Sequence, residues 1–294
     1  MTFEKLVSGL KFDTGEAEEL LKLNKNIEKS YPELYGKLLD SYLVSIEKCI
    51  EAIQETATKV CIYEETLGLW LVLKLAADRM YPKYKSRGID NEYFFAAVLN
   101  VHRYITASRL HAGRFGIIIS RYVRAFCHLI ELRAFRIGDF NFEFIKFDSE
   151  IYCNGESLHF GDTCLSMHVP VNTDISRENV DRNFSLAREF FRKHFDMEKP
   201  FCQIYSWLIH PSIKESLPED SKLVEFYKRF TIYEVKNNPG AVIEYVFGMK
   251  FFEEYKLGNK NYEAYPEKTS LQKKFKERLI KGLSLGVAKG VALL

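Results

Sequence analysis

The chain carries no excess charge of either sign. Lys and Arg number 42 against 40 Asp and Glu, so the formal net charge is only +2. That removes the strong basic field on which binding to nucleic acid or to an anionic membrane depends. No apolar run reaches the roughly 18–20 residues that a membrane span needs. The start, Met1-Thr-Phe-Glu-Lys5, lacks the basic opening and apolar block of a secretory signal. The expectation is a cytoplasmic protein with neither nucleic acid nor membrane among its partners; homo-oligomerisation stays open.

Ordered cysteine patterns are also missing. Cys49, Cys61, Cys127, Cys153, Cys164 and Cys202 are scattered, none in a C-x-x-C pair, and the seven histidines are equally dispersed. This argues against a disulfide framework and against a zinc site, and favours reduced, buried thiols with no metal. Nor is there a G-x-S-x-G, H-E-x-x-H, G-x-x-x-x-G-K-[ST] or G-x-G-x-x-G motif. No single motif assigns the chemistry.

What is present is apolar and aromatic. The 294 residues are 47% hydrophobic and include 23 Phe and 17 Tyr, enough for a large core in one large or two ordinary domains. Residues 1–134 read as helices. Asp13 and Thr14 are candidate caps for a helix at Glu16–Asn24. Pro32 opens a second, to about Thr56, with Leu34, Leu38, Leu39, Tyr42, Leu43, Ile46 and Ile50 at helical spacing. Cys61–Tyr81 is apolar all round and should lie at the centre, ended by Pro82 and Gly88. Asp90 caps Glu92–Ser108, and Ile117–Leu132 follows.

Near Phe135 the period changes from 3.6 to 2. Phe140, Phe142 and Phe144 alternate with Asp139, Asn141, Glu143 and Ile145, which predicts a half-buried antiparallel strand over 136–147. Asn154-Gly155 marks a hairpin turn. A strand at Thr163–Val169, a helix near Glu178–His194 and a strand at Phe201–His210 predict a parallel pair with a helical crossover. Arg229–Val235 alternates as a further strand, Pro239–Phe247 looks helical, and Met249–Tyr255 fits either element. Ser270 caps a last helix, Leu271–Lys281, and a tail with Gly282, Gly286 and Gly290 should be non-helical and closely packed. The predicted fold class is α+β: a helical domain over 1–134, then a mixed-sheet domain with flanking helices over 135–294.

The element order of the second half resembles the Gcn5-related N-acetyltransferase (GNAT) fold. Several stretches resemble a bacterial acyltransferase-domain family with a helical N-acyltransferase N-terminal domain and a GNAT-like C-terminal domain. They are Leu69-Trp-Leu-Val-Leu, Tyr84-Lys-Ser-Arg-Gly-Ile89, Phe135-Arg-Ile-Gly-Asp-Phe-Asn-Phe-Glu143, Leu165-Ser-Met-His-Val-Pro170, Ala187-Arg-Glu-Phe-Phe191, Ser206-Trp-Leu, Leu217-Pro-Glu-Asp-Ser221 and Thr269-Ser-Leu-Gln-Lys273, with the glycine-bearing tail. The resemblance implies transfer of an acyl group from acetyl-CoA or a longer acyl-CoA to a small-molecule or peptide amine. It also implies that the acyl-CoA lies between the two parallel strands.

The resemblance places the candidates at that gap. His168 or Glu143 would be the general base, and Tyr205 or Ser206 would assist departure of the thiolate. Each has a plainer reading, as a strand-end histidine, a solvated carboxylate or a rim hydroxyl. Val169, Val171, Ser176 and Arg177 would hold the acyl-CoA. The loop Pro170–Asn179 departs from the glycine-rich phosphate loop of GNAT enzymes. It has no glycine and carries Asp174 and Glu178, which repel phosphate, with Arg177 and Ser176 as partial offsets. The alternative is therefore a non-catalytic GNAT-like ligand-binding or sensor protein. Cys202, with no histidine placed to activate it, is a poor nucleophile candidate.

Overall fold

The computed structural model describes residues 1–294, the side chain of Arg121 excepted. The chain divides into two compact units, Met1–Arg136 and Ile137–Leu294.

The first unit is helical: α1 (Phe3–Gly9), α2 (Thr14–Ser30), α3 (Leu34–Val44), α4 (Ile46–Val60), α5 (Glu64–Leu75), α6 (Tyr81–Ser86), α7 (Asn91–Val98), α8 (Val101–Ala112) and α9 (Ile119–Ile130). As its composition predicts, α5 is buried along nearly its whole length, and Trp70 donates from Nε1 to Asn24 Oδ1 at 3.1 Å. The helix expected from Pro32 to Thr56 is broken at Ser45. There the backbone turns extended (φ −165°, ψ 163°) and the hydroxyl accepts the Lys48 N–H at 3.1 Å, capping α4. Pro82 does not stop its helix. A π-helical turn at Ala76–Met80 leads into α6, and Pro82 stands in the first turn of α6, where an N–H is not needed. The expected helix Glu92–Ser108 is likewise two, parted at Leu99 and Asn100.

The second unit contains β1 (Ala134–Ile137), which spans the division, then β2 (Phe140–Lys146), β3 (Ile151–Cys153), β4 (Glu156–Leu158), β5 (Thr163–His168), α10 (Arg177–Phe195), β6 (Phe201–Ser206), α11 (Ser212–Ser216), α12 (Lys222–Tyr227), β7 (Thr231–Lys236), α13 (Gly240–Val242), α14 (Met249–Lys256), α15 (Ser270–Ile280) and β8 (Val287–Leu293). The main sheet has the order β1-β2-β5-β6-β8-β7, and β3 and β4 pair separately. The helical first half and mixed-sheet second half match the predicted class.

Two local expectations change and two are sharpened. The single strand over 136–147 is a hairpin, because Gly138 turns at φ 56°. The hairpin at Asn154-Gly155 forms, with φ 53° and 82°, but outside the main sheet. Thr269, not Ser270, caps α15 through a reciprocal pair with Gln272. The glycine-bearing tail becomes β8 and fills the place between β6 and β7. A Cβ on Gly290 would lie 2.9 Å from Ile209 and Ile232, so the strand's closeness to its neighbours depends on that glycine.

The helix α10 covers one face of the sheet. Its stripe Val180, Phe184, Ala187 and Phe191 is buried at i, i+4, i+7 and i+11. Phe142 and Phe144 meet Phe191 with ring centroids 5.9 and 5.5 Å apart, and Phe140 meets Phe184 at 6.5 Å. Each fully buried phenyl contributes on the order of 1.5–3 kcal/mol. Arg192, Lys193 and His194 in the last turn suit the negative helix end, and Asp196, at φ 54°, ends it. On the other face, the β3–β4 hairpin builds a smaller core with Phe147, Cys153, Leu158, Cys164, Phe201 and Val291.

Candidate functional site

The candidate site starts from an incomplete strand pair. β5 and β6 run parallel but pair in register only at Leu165 with Cys202 and Ser166 with Gln203. Beyond that row, Met167 and His168 on one strand and Ile204, Tyr205 and Ser206 on the other have no partner across the pair. β5 instead stays paired to β2, where His168 faces Asn141 and Ser166 faces Glu143. β6 stays paired to β8, where Tyr205 faces Lys289 and Ser206 faces Ala288. The two strands are thus each held by an outer neighbour while they part from one another.

Strand alternation sorts the candidates onto faces. Glu143, Ser166, His168, Gln203 and Tyr205 share the face away from α10. Glu143 and His168 come together, with His168 Nε2 3.7 Å from Glu143 Oε2. The imidazole is 58% exposed, against 22% for the carboxylate, so the histidine meets solvent while the glutamate backs it. Tyr205 is half exposed, and the Lys236 ammonium lies 5.9 Å from its ring centroid. Lys236 in turn pairs with Glu234 at 2.8 Å. Ser206 does not join this group. It lies on the α10 face, and its hydroxyl accepts the Leu208 N–H at 3.2 Å, capping the turn Trp207–Ile209. That arrangement separates it from His168 and Tyr205 across the sheet.

The loop after β5 leads directly to the start of α10. Val169 is half-buried and Val171 exposed, and Asn172 takes φ 65°. Ser176 donates to Asp174 from both its amide (3.0 Å) and its hydroxyl (2.7 Å). Lys222 completes the arrangement 3.2 Å from Asp174 Oδ1. The Ser176 hydrogen bonds, with the nearby ammonium, hold the Asp174 carboxyl below its usual range. Two consequences follow for an acyl-CoA. The negative charge of Asp174 is compensated locally, and the hydroxyl of Ser176 is already engaged. No side chain caps the first turn of α10. Arg177 is exposed, 3.9 Å from Asp181, and Asp181 also binds Arg229 at 2.6 Å. The same first turn carries the Glu178 carboxylate beside Arg177.

Two polar residues on the open face escape a motif-based reading. Asn141 Oδ1 and Gln203 Oε1 are buried without a hydrogen-bond partner. The signal for Gln203 is its place inside the apolar run Phe201-Cys-Gln-Ile204. Cys202 is fully buried, and burial drives its thiol well above the ordinary range, which suits packing rather than attack. Among the described residues, no group of three or more His, Cys, Asp or Glu is placed to hold a metal ion, and no helix is long and apolar enough to cross a membrane.

Comparison with known proteins follows the same division of the chain. Residues 134–292 match the family described as GNAT-like C-terminal domain. No curated protein matches the chain. Among solved structures, the chain is similar to an acyltransferase in complex with decanoyl-CoA and teicoplanin, with 18% identity and a TM-score of 0.65 over 99% of this chain and 87% of that one. An acyltransferase mutant bound to octanoyl-CoA and an acyltransferase bound to CoA and 10C-teicoplanin give a TM-score of 0.66 at the same identity and coverage. These likenesses concern the fold. With more than half of its length matched, the chain belongs to the family that carries the GNAT-like C-terminal domain.

Proposed function

We propose that this protein transfers an acyl group from an acyl-CoA to an amine. The observation that carries the reading is the parting of β5 and β6 immediately after the Ser166–Gln203 row, with the Glu143–His168 pair on its rim. Parted parallel strands expose backbone amides and carbonyls along both inner edges, which suits an extended thioester arm. The structural neighbours described above hold CoA species together with teicoplanin or 10C-teicoplanin, in keeping with this reading.

The chemistry follows from the placement of the side chains. His168, with Glu143 behind it, takes a proton from the bound amine directly or through water. The amine nitrogen attacks the thioester carbonyl carbon, the new C–N bond forms, and the C–S bond breaks. Backbone amides at the strand edge polarise the carbonyl oxygen. Tyr205, on the same face, donates a proton to the departing thiolate. Ser206 would reach the thiolate only from the α10 side. The first turn of α10, Arg177 and the backbone at Val169 and Val171 hold the CoA portion, with Ser176 acting through its turn rather than its hydroxyl.

The test has two steps. Thermal-shift measurements with acetyl-CoA, octanoyl-CoA, decanoyl-CoA and free CoA should show stabilisation by at least one species. Release of free CoA is then followed with decanoyl-CoA and a panel of primary amines that includes teicoplanin. His168→Ala and Glu143→Gln should each lower kcat by on the order of 10²–10⁴ while CoA binding persists. Unchanged turnover in both variants removes the assigned base. Stabilisation without turnover on any amine would favour the non-catalytic binding reading, and no stabilisation by any CoA species counts against acyl transfer.

A further inference from the structure

Three strand ends meet at one buried histidine. β6 ends at Ser206, β7 ends at Lys236 and β8 begins at Val287. These ends lie together, because Ala288 faces both Ser206 and Val235. Just beyond them, His210 Nε2 donates to Asn237 Oδ1 at 3.1 Å, and the same oxygen accepts the Ser284 hydroxyl. One imidazole thus joins the segments that leave β6 and β7 to the segment that enters β8. Tyr205 and Lys236, which meet on the open face, sit on the two strands that it ties.

The other ring nitrogen fixes the protonation state. His210 is 2% exposed and Ser212 1%. Nδ1 accepts the Ser212 N–H at 3.2 Å and the Ser212 hydroxyl at 2.8 Å. The neutral ring, with its proton on Nε2, satisfies every bond of this set. A second proton, on Nδ1, would aim a donor at a donor. The Ser212 hydroxyl can turn and accept it, but the amide can only donate, and it would be left unmet away from water. The charged groups that face His210 are Glu215 on α11 and Arg278 on α15. They pair with each other at 2.7 Å, and Arg278 also donates to the Ser284 carbonyl at 3.0 Å. The carboxylate is therefore shared with a guanidinium rather than left to compensate an imidazolium.

We propose that His210 is a proton-operated latch: the neutral imidazole holds the ends of β6, β7 and β8 together, and protonation at Nδ1 releases Ser212 and loosens that end of the sheet. The inference concerns the side of the gap that carries Tyr205 and does not need the acyl-transfer reading. The turn Trp207–Ile209 moves with the latch, because the His210 amide donates to the Trp207 carbonyl at 3.1 Å. The Trp207 ring meets Phe275 edge-on at 6.4 Å, so its surroundings report the change.

The test follows the ¹⁵N-labelled full chain by NMR from about pH 7.5 to about pH 4.5. Trp70 and Trp207 are the only tryptophans, and Trp207→Phe assigns their two indole signals. The Ser212 amide and the Trp207 indole should shift in one reversible step that begins below the ordinary histidine range. The Tyr205 and Lys236 amides should follow the same curve, and the Trp70 indole should stay unmoved. His210→Gln should abolish the step. Ser212→Ala keeps the amide and removes the only group able to accept the new proton, so its step should move to lower pH; this variant carries the test should His210→Gln fail to fold. Turnover is not the readout, because an imidazole base at the gap would impose an acid limb of its own. The latch is overturned by flat Ser212 and Trp207 signals, by a step that persists in His210→Gln, or by an unchanged midpoint in Ser212→Ala. A step confined to Ser212, with Tyr205 and Lys236 unmoved, overturns it too. None of these results touches the assignment of acyl transfer.

Discussion

Gly138 shows how a single residue can set the position of a site strand. It turns the chain at φ 56° between β1 and β2, and a Cβ there would fall 1.9 Å from Asn183 Oδ1. Asn183 is fully buried on α10, accepts the Asp139 N–H at 2.7 Å and donates to the Asn179 carbonyl at 2.7 Å. The turn that aims Glu143 is therefore bonded to the helix that follows the candidate site. Gly138→Ala meets both a left-handed backbone and this clash, and should cost about 1–3 kcal/mol in urea unfolding. Gly155→Ala, at φ 82° with nothing within 4 Å, meets only the backbone strain and should cost less. Equal effects would remove the role given to Asn183. Neither consequence is legible in the sequence, where Gly138 interrupts an otherwise regular alternation and signals at most a bulge.

At the scale of elements, β8 decides the architecture. Without it, β6 and β7 would be separate edges. The register places Gly290 opposite both Ile204 and Ile232, and Gly286 enters beside the end of β7. A Cβ on Gly286 would lie 1.9 Å from the Lys236 carbonyl oxygen and 2.8 Å from the Asn238 nitrogen. Both are backbone atoms and cannot swing aside. Gly286→Ala should therefore destabilise the second unit by about 1–3 kcal/mol, and a wild-type denaturation midpoint would refute the close approach. The sequence exposed the helices and the crossover through periodicity, but not this strand. Glycine at three positions masks β propensity, and the partners that make the segment a strand lie more than 50 residues away. The same limit affected α3 and α4. Their joint apolar rhythm reads as one helix, and only the extended backbone at Ser45 divides it.

At the scale of the whole molecule, near-neutral charge leaves the pH dependence to particular groups. His210 is buried, accepts the Ser212 N–H on Nδ1 at 3.2 Å, and so donates from Nε2 to Asn237 Oδ1 at 3.1 Å. Burial depresses its pKa below the ordinary 6.5. The unfolded chain therefore takes up a proton first as pH falls, and the folded state loses stability from about pH 6.5 down to the lower folded value. Asp148, Asp181 and Glu131 are held below their ordinary values of 3.8, 3.8 and 4.5, the aspartates chiefly by hydrogen bonds to Lys289 and Arg229, and Glu131 by those to Lys83 and Tyr42, which outweigh its burial. Their contribution is present above those values and is lost as pH falls through the depressed ones. Chemical denaturation across pH should thus show two declines on the acid side. In His210→Gln the one beginning near pH 6.5 should vanish and the other remain; persistence of both would exclude His210.

The sequence by itself determined the helical first half, the change of period near Phe135, the parallel crossover and the residues of the loop after β5, because each is written in local spacing and composition. It also named Glu143, His168 and Tyr205 as candidates. Only the tertiary structure decided that Glu143 and His168 meet while Ser206 faces away, since faces follow from a register that no local pattern specifies. It likewise decided that Asp174 is compensated by Ser176 and Lys222, 48 residues apart in sequence for the lysine, and that Gln203 stands buried across from Ser166. Charge and hydrogen-bond satisfaction depend on distance in space, and that distance is set by the packed sheet rather than by neighbours along the chain.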